Sequence, residues 1–316
     1  IDIVNQNKKI INITVEEKAT GEIMGGAGAG TNGGTVAFGV SENNYLGRGI
    51  EFTSDVTVSA ESLKGLIAIN NPNYKGSNRS LNLSVESTIT DRITNFGYKS
   101  NKTGFSLGSG FEFYDDLYWN TGISSYVEKL ETDSTATDNI KKQEGSYFDT
   151  FFNQTFSYDK RNQKFKTTDG YISRFTQNIP LFSDNYTLTN AYDYKIYNQW
   201  LYENVFSFGV FAKATNSLNG KDVKLSDRLF LPSSKLRGFE SGRVGPKDGV
   251  DYVGGNYAAS INLATTLPQI MPNLENTNFS VFFDAANIWG IDYDSSLSDE
   301  SKIRSSVGIA VDFFTP

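Results

Sequence analysis

The sequence contains no histidine and no cysteine. These absences exclude imidazole acid–base catalysis, thiol nucleophiles, Cys/His metal sites and any disulfide framework. Proline is scarce, at 7 of 316 residues. Positive charge is in deficit, with 29 Lys and Arg against 36 Asp and Glu, a net charge of −7. Such an acidic chain lacks the basic face that phosphate binding needs, so nucleic acid is not an expected partner. No apolar run approaches the ~18 residues of a spanning helix. Residues 1–10, IDIVNQNKKI, lack the basic start and apolar core of a secretory signal. Residues 1–18 are therefore read as the tail of an upstream domain, with a strand-like run over 10–15 that has no obvious partner.

Aromatics and glycine are abundant: 3 Trp, 17 Tyr, 23 Phe and 29 Gly. Apolar residues recur with period two, which puts alternate side chains on opposite faces of a strand. Leu81, Leu83, Val85 and Ile89 alternate with Ser80, Asn82, Ser84, Glu86 and Thr88. Phe279, Val281, Phe283 and Ala285 alternate with Ser280, Phe282, Asp284 and Ala286. Ile303, Ser305, Val307, Ile309 and Val311 alternate with Arg304, Ser306, Gly308, Ala310 and Asp312. No segment has a convincing helical period. About fourteen such segments are present, near 22–30, 34–42, 50–58, 62–70, 79–90, 103–113, 117–128, 147–158, 170–179, 185–197, 202–214, 254–267, 277–289 and 302–313. Their lengths suit tilted strands crossing a bilayer.

One face carries Leu, Phe, Val and Ile. The other is crowded with Ser, Asn, Thr and Gly, with scattered charges. That contrast predicts an all-β, antiparallel transmembrane barrel with a wet interior and a lipid-facing exterior, rather than a soluble sandwich. Tyr114, Trp119, Tyr126, Tyr158, Trp200, Tyr202 and Trp289 lie near strand ends, where interfacial girdles form. Long connections are expected after odd strands, over 91–102, 129–146, 215–253 and 290–301, and short turns after even ones. With 1–18 entering from the periplasm, the long loops lie outside. Segment 129–146 is polar and reads as a mobile surface loop with no site in it.

No catalytic, metal or cofactor site is expected. Asp115-Asp116 and Glu16-Glu17 are carboxylate pairs of the kind found in turns and on solvated faces. The run GGAGAG at 25–30 lacks the ending of a phosphate loop. Asp292, Asp294, Asp299 and Glu300 do not have calcium-loop spacing. Two features do need an explanation. Seven of residues 21–34 are glycine, so the first strand, with Ile23, Gly25, Gly26, Ala27, Gly28, Ala29 and Gly30, is thin and makes a weak seam. Loop 215–253 carries an apolar stretch, Leu229-Phe230-Leu231, followed by Lys235-Leu236-Arg237-Gly238-Phe239. Such a stretch is better buried than left in water, and the nearest burial is the lumen.

Lys235-Leu236-Arg237-Gly238-Phe239-Glu240, with Val244-Gly245-Pro246, resembles the Arg-Gly-Phe loop of the outer-membrane barrel assembly (BamA) family. Asn43-Asn44-Tyr45-Leu46-Gly47-Arg48-Gly49, Asn70-Asn71-Pro72-Asn73-Tyr74, Tyr158-Asp159-Lys160-Arg161-Asn162, Val253-Gly254-Gly255-Asn256 and Phe282-Phe283-Asp284-Ala285-Ala286-Asn287-Ile288-Trp289 resemble its motifs in the same order. Glu16-Glu17-Lys18-Ala19-Thr20-Gly21 is similar to the exit from a POTRA domain. The resemblance implies a sixteen-stranded barrel, so residues 19–316 would hold about fourteen strands and lack the last two. It implies insertion and folding of outer-membrane β-barrel proteins at the bacterial outer membrane, with no bond chemistry and no cofactor. Its implied partners are unfolded outer-membrane proteins, membrane lipids and accessory assembly lipoproteins. It also implies a latch in the lumen, in which Arg237, with Gly238 and Phe239 beside it, reaches Asp284. Ala264 stands where a second acid is expected, and Asn262 on the same face offers a hydrogen bond but no charge. A polypeptide-secreting transporter of the same superfamily, a passive porin and a soluble β-rich binding protein are the competing readings.

Overall fold

The computed structural model describes residues 2–5, 8–10, 14, 16, 18–30, 33–200, 204–267, 277–297 and 301–313. Tyr202, Asp299 and Glu300 lie outside them, as do residues 11–13 and 15 of the strand-like run near the start. Ile10 pairs with Asp2 in a small two-stranded ladder, so the run does begin beside a partner.

Fourteen strands form one antiparallel sheet: β1 (Gly21–Gly30), β2 (Gly33–Tyr45), β3 (Ile50–Ser59), β4 (Ser62–Asn71), β5 (Arg79–Arg92), β6 (Tyr98–Tyr114), β7 (Leu117–Thr132), β8 (Gly145–Asp159), β9 (Gly170–Ser183), β10 (Thr187–Gln199), β11 (Val205–Ser217), β12 (Tyr257–Thr266), β13 (Thr277–Trp289) and β14 (Arg304–Phe313). Each strand pairs with its neighbours in sequence, the order of an up-and-down barrel. Interior strands have both backbone edges hydrogen-bonded, which a bilayer demands. Among the described residues no ladder joins β1 to β14.

The alternation sets the facing. Leu83 and Val85, Phe105 and Leu107, Val281 and Phe283, and Val307 and Ile309 are exposed on the outer face. Phe282 and Asp284 are buried on the inner one. Aromatics gather on the outer face near both strand ends, the first two of the following pairs by the short turns and the third by the long loops. Trp119 stacks on Phe156 at 5.7 Å, Tyr158 meets Tyr171 at 5.8 Å, and Tyr257 stacks on Trp289 at 5.8 Å. Tyr126 departs from the girdle expectation. Its outward neighbour is Val127, 57% exposed, so strand parity turns Tyr126 into the lumen, where Lys102 lies 4.4 Å from its ring.

Two long connections are shorter than expected, because hydrogen bonding continues past the apolar band. The β5–β6 link shrinks to 93–97, since Asp91 and Arg92 pair with Lys99 and Tyr98. Segment 129–146 is a packed element, not a mobile loop. Leu130, Ala136 and Ile140 are its few apolar residues, and all are buried with Phe96, Tyr98, Leu225 and Val253 in a cap over the lumen. A short helix, Asp138–Lys141, carries Ile140 into that cap. Few apolar residues in a polar segment are enough when each one meets the same cluster.

Candidate functional site, a loop tethered inside the lumen

The connection between β11 and β12 folds back into the sheet's concave side. An isolated bridge between Leu229 and Gly255 starts the return. Leu229, Leu231, Leu236 and Val244 bury against Ala258 of β12 and Ala286 and Ile288 of β13. Phe211 and Phe239 pack on the edge of that cluster. The apolar stretch lies against the inner wall because small residues there, Ala258 and Ala286, leave room for the leucines.

This packing delivers Arg237 to Asp284. The Arg237 Nε donates to Asp284 Oδ2 at 2.8 Å, and Nη2 donates to Oδ1 at 2.7 Å. The Arg237 backbone N–H adds a third bond to Oδ2 at 3.0 Å. A planar guanidinium and a carboxylate match in this two-pronged way, and each charge-assisted bond is about twice a neutral one. The guanidinium also lies 3.7 Å from the Phe282 ring centroid. Asp284 is completely buried, whereas the Arg237 side chain keeps 29% of its exposure. Asn262, directly opposite Asp284 in the β12–β13 register, donates to Asp284 Oδ1 at 2.8 Å and to the Lys235 carbonyl at 2.9 Å. So the residue beside the aspartate is an amide, and Ala264 lies two pairs further along, opposite Phe282. Gly238 has φ +83°, a left-handed backbone that only glycine adopts freely. That turn lets Arg237 reach Asp284 while Phe239 packs on the edge of the apolar cluster.

Three further tethers were not evident from the sequence. Lys235 pairs with Asp193 of β10 and lies 4.8 Å from the Phe211 ring. Arg228 pairs with Asp292 and donates to Asn256 Oδ1 at 3.0 Å. Lys224 is 1% exposed and reaches Asp149 at 2.6 Å and Glu128 at 3.0 Å, with Asp227 at 3.5 Å. Ser100 and Ser226 donate to the two Glu128 oxygens at 2.6 and 3.0 Å. Burial opposes the Lys224 charge, but the three carboxylates overcome it and hold the ammonium well above its ordinary range. Burial likewise pushes Asp292 up, but the Arg228 charge and hydrogen bonds from Val223 and Asn256 leave it net below the usual carboxylate value. The only sequence signal for these contacts is an acid on an inward strand position, as with Glu128, Asp149 and Asp193. Nothing in spacing pairs them with a particular lysine.

The cap closes over the loop through polar contacts. Thr137 donates to Asp248 at 2.9 Å, Asn139 to Asp294 at 3.0 Å, and Tyr293 to Asp248 at 3.2 Å. The first strand is different. β1 pairs with β2 from Gly21–Glu42 to Gly30–Gly33. A Cβ on Gly25, Gly26 or Gly28 would meet nothing within 4 Å, and Ile23 is 77% exposed. Close packing therefore does not require these glycines.

A curved antiparallel sheet with lipid-type residues outside and a charge-tethered loop inside defines an outer-membrane β-barrel of the Omp85 type. Residues 44–316 match the Omp85 superfamily domain, and the chain belongs to that superfamily. It is 24% identical over 97% of its length to outer membrane protein assembly factor BamA of Nitratidesulfovibrio vulgaris. A segment of 60 residues is 48% identical to a SAM50-like protein of Schizosaccharomyces pombe, covering 18% of this chain and 13% of that protein. The fold matches the crystal structure of BamA from Haemophilus ducreyi lacking POTRA domains 1–3, with a TM-score of 0.82 and 22% identity, over 95% of this chain and 65% of that one. The chain spans 39% of the length of the Nitratidesulfovibrio relative, so it corresponds to part of such a protein.

Proposed function

We propose that this chain is the membrane domain of a factor that folds and inserts β-barrel proteins into the bacterial outer membrane. The observation that carries the reading is the four-point tethering of the lumen loop at Lys224, Arg228, Lys235 and Arg237. A loop held that firmly obstructs an open pore and fits a machine better than a passive porin. The match to BamA proteins over nearly the whole chain supports assembly over polypeptide secretion. In this reading Arg237, Gly238, Phe239 and Asp284 form a latch, and the glycine-thin β1 is the seam at which client strands are received. Residues 1–18 are the end of a POTRA-like periplasmic domain. Unfolded outer-membrane proteins, lipids and accessory assembly lipoproteins are the partners, and no covalent chemistry is involved.

The test is client folding in vesicles containing the full-length protein. A denatured barrel client should fold faster than in empty vesicles, and Arg237→Ala should remove most of the gain. Client folding no faster than in empty vesicles refutes the proposal. Ion conductance unchanged by deletion of 229–247, with no assembly defect in cells, would favour the porin.

A further inference from the structure

The outer face of β8, β9 and β10 carries a row of amides where lipid-facing residues belong. Strand parity fixes the facing. Asp149 on β8 and Asp193 on β10 hold lysines of the lumen loop, so both point inward. Arg174 stands opposite Asp193 in the strand register and shares its inward face. Gln154, Gln177 and Asn190 have the opposite parity and stand on the outer wall, one beside the next. Gln154 Nε2 donates to Gln177 Oε1 at 2.9 Å, and Gln177 Nε2 donates to Asn190 Oδ1 at 2.7 Å. On β7 the row continues to Thr121, opposite Gln154.

This row lies one step inside the aromatic girdle of the outer face. One step toward the short turns, the outer face reads Phe111, Trp119, Phe156, Phe175 and Tyr192 across β6 to β10. One step the other way it reads Leu107, Ile123, Phe152 and Ile179. The amides thus lie between the aromatic girdle on one side and an apolar row on the other. Hydrocarbon offers no partner to a polar group, so each unsatisfied N–H there is costly.

The chain of amides satisfies only part of its own capacity. A primary amide has two N–H donors. The two bonds use one hydrogen each of Gln154 and Gln177 and engage the oxygens of Gln177 and Asn190. Among the described residues every nitrogen in the row keeps an N–H without a partner, and the buried Thr121 hydroxyl has none either. Reversing all three amides leaves the same number of free donors. Groups that accept without donating complement such a row, and the phosphate and ester carbonyl oxygens of a phospholipid have that character.

We propose that the amide row on β8–β10 is a lipid-recognition stripe that draws the acceptor oxygens of a phospholipid into the plane of the barrel wall. Lipid next to this wall then sits with its glycerol-ester region displaced toward the bilayer centre. The inference depends on the barrel facing lipid and not on its role in assembly.

These 316 residues hold no cysteine, so Ile179→Cys labelled with bimane is a unique probe among them, in the apolar row beside the stripe, once any cysteine elsewhere in the full-length protein is replaced by serine. The labelled full-length protein is placed at one copy per dioleoylphosphatidylcholine nanodisc, with and without Gln154→Leu/Gln177→Leu/Asn190→Leu. Leucine suits a lipid-facing position, and heat-modifiability on gels checks that the triple variant is folded. With the amides present, bimane should emit at long wavelength and be quenched more strongly by headgroup nitroxide lipid than by chain-end nitroxide lipid. The triple variant should shift emission to the blue and reverse the quenching order. The same emission and quenching order in both proteins overturns the proposal. So does a polar signature seen in multi-copy vesicles but absent from single-copy discs, which assigns the stripe to a second copy of this chain.

Discussion

Removing the Arg237 side chain tests whether the loop and the β12–β13 wall form one energetic unit. Asp284 has no exposed surface, and Arg237→Ala strips two of its bonds to the guanidinium while leaving Asn262 and the Arg237 backbone N–H in place. Breaking a fully buried pair costs about 3–5 kcal/mol. Solvent reaches 29% of the Arg237 side chain, and the two remaining donors still serve Asp284, so about 2–3 kcal/mol is expected here. Asp284→Ala frees a guanidinium that can hydrate, and its cost should be of similar size or smaller, about 2 kcal/mol. Because the two side chains share one interaction, the double variant should fall short of the summed costs by at least about 1 kcal/mol. The measurement is the urea midpoint of heat-modifiable mobility in vesicles for all four proteins, with limited proteolysis reporting release of the loop. Arg237→Lys keeps the charge but loses the fork, and should recover only part of the difference. Single costs that add to within about 0.5 kcal/mol would refute the coupling, even if each variant were impaired.

Other expectations follow from the facing, the seam and the charges. Leu83→Arg, on the lipid side, should cost about 2–4 kcal/mol if near the midplane, whereas Ser84→Arg should be tolerated in the lumen, as read by folding yield in vesicles. Ser306→Arg, expected from alternation alone to be harmless, should instead fail, because Ser306 lies opposite Asp284 and beneath Gly238. Residues 22–30 should exchange amide hydrogens faster than 79–90 or 277–289 in the full-length protein in nanodiscs, since thin strands open at lower free energy; equal protection would remove the basis for a weak seam. The Asp292 carboxyl is held below its ordinary value, so its stabilisation is complete above that value, near ~3.9, and is lost as pH falls through its folded pKa. Lys224 is raised, so its contribution is complete below ~10.4 and is lost only as pH rises through its folded pKa. Proteolytic resistance of the loop should therefore be flat near neutrality and fall at acid pH, and Asp292→Asn should flatten the acid limb.

The strands were legible because membrane barrels put opposite demands on adjacent residues. Leu83 and Ser84 sit side by side in sequence yet meet lipid and water, and no other architecture asks for that over so many segments. The same logic fails where a strand outgrows the bilayer. Tyr98 and Ser100 lie beyond the apolar band, so alternation carries no signal there, although their ladder continues to Leu130 and Thr132. Segment 129–146 packs where its composition predicts a mobile loop, for a related reason. Composition reports the average residue, but Leu130, Ala136 and Ile140 act as single anchors, and the cluster they join is assembled from three other parts of the chain.

The latch and the remaining tethers separate along the same line. Arg237 and Asp284 could be named together only because the chain resembles a family, and spacing alone does not connect residues 47 positions apart. Lys224, Glu128 and Asp149 belong to no such motif, yet they are the more deeply buried set. Removing Lys224 alone would leave Glu128 and Asp149 facing each other without their cation, and that cost is larger than any gain from the pair itself. The loop is thus held near its start and at its middle by charges that are expensive to separate, one set on β7–β8 and one on β13. β1 has the opposite design. Gly25, Gly26 and Gly28 have open space where a side chain would fit and so give up packing that the fold does not forbid. Hence a substitution such as Gly26→Val should strengthen β1 without a clash and slow assembly while raising stability. Raised stability with unchanged client folding in vesicles would separate the thin strand from function.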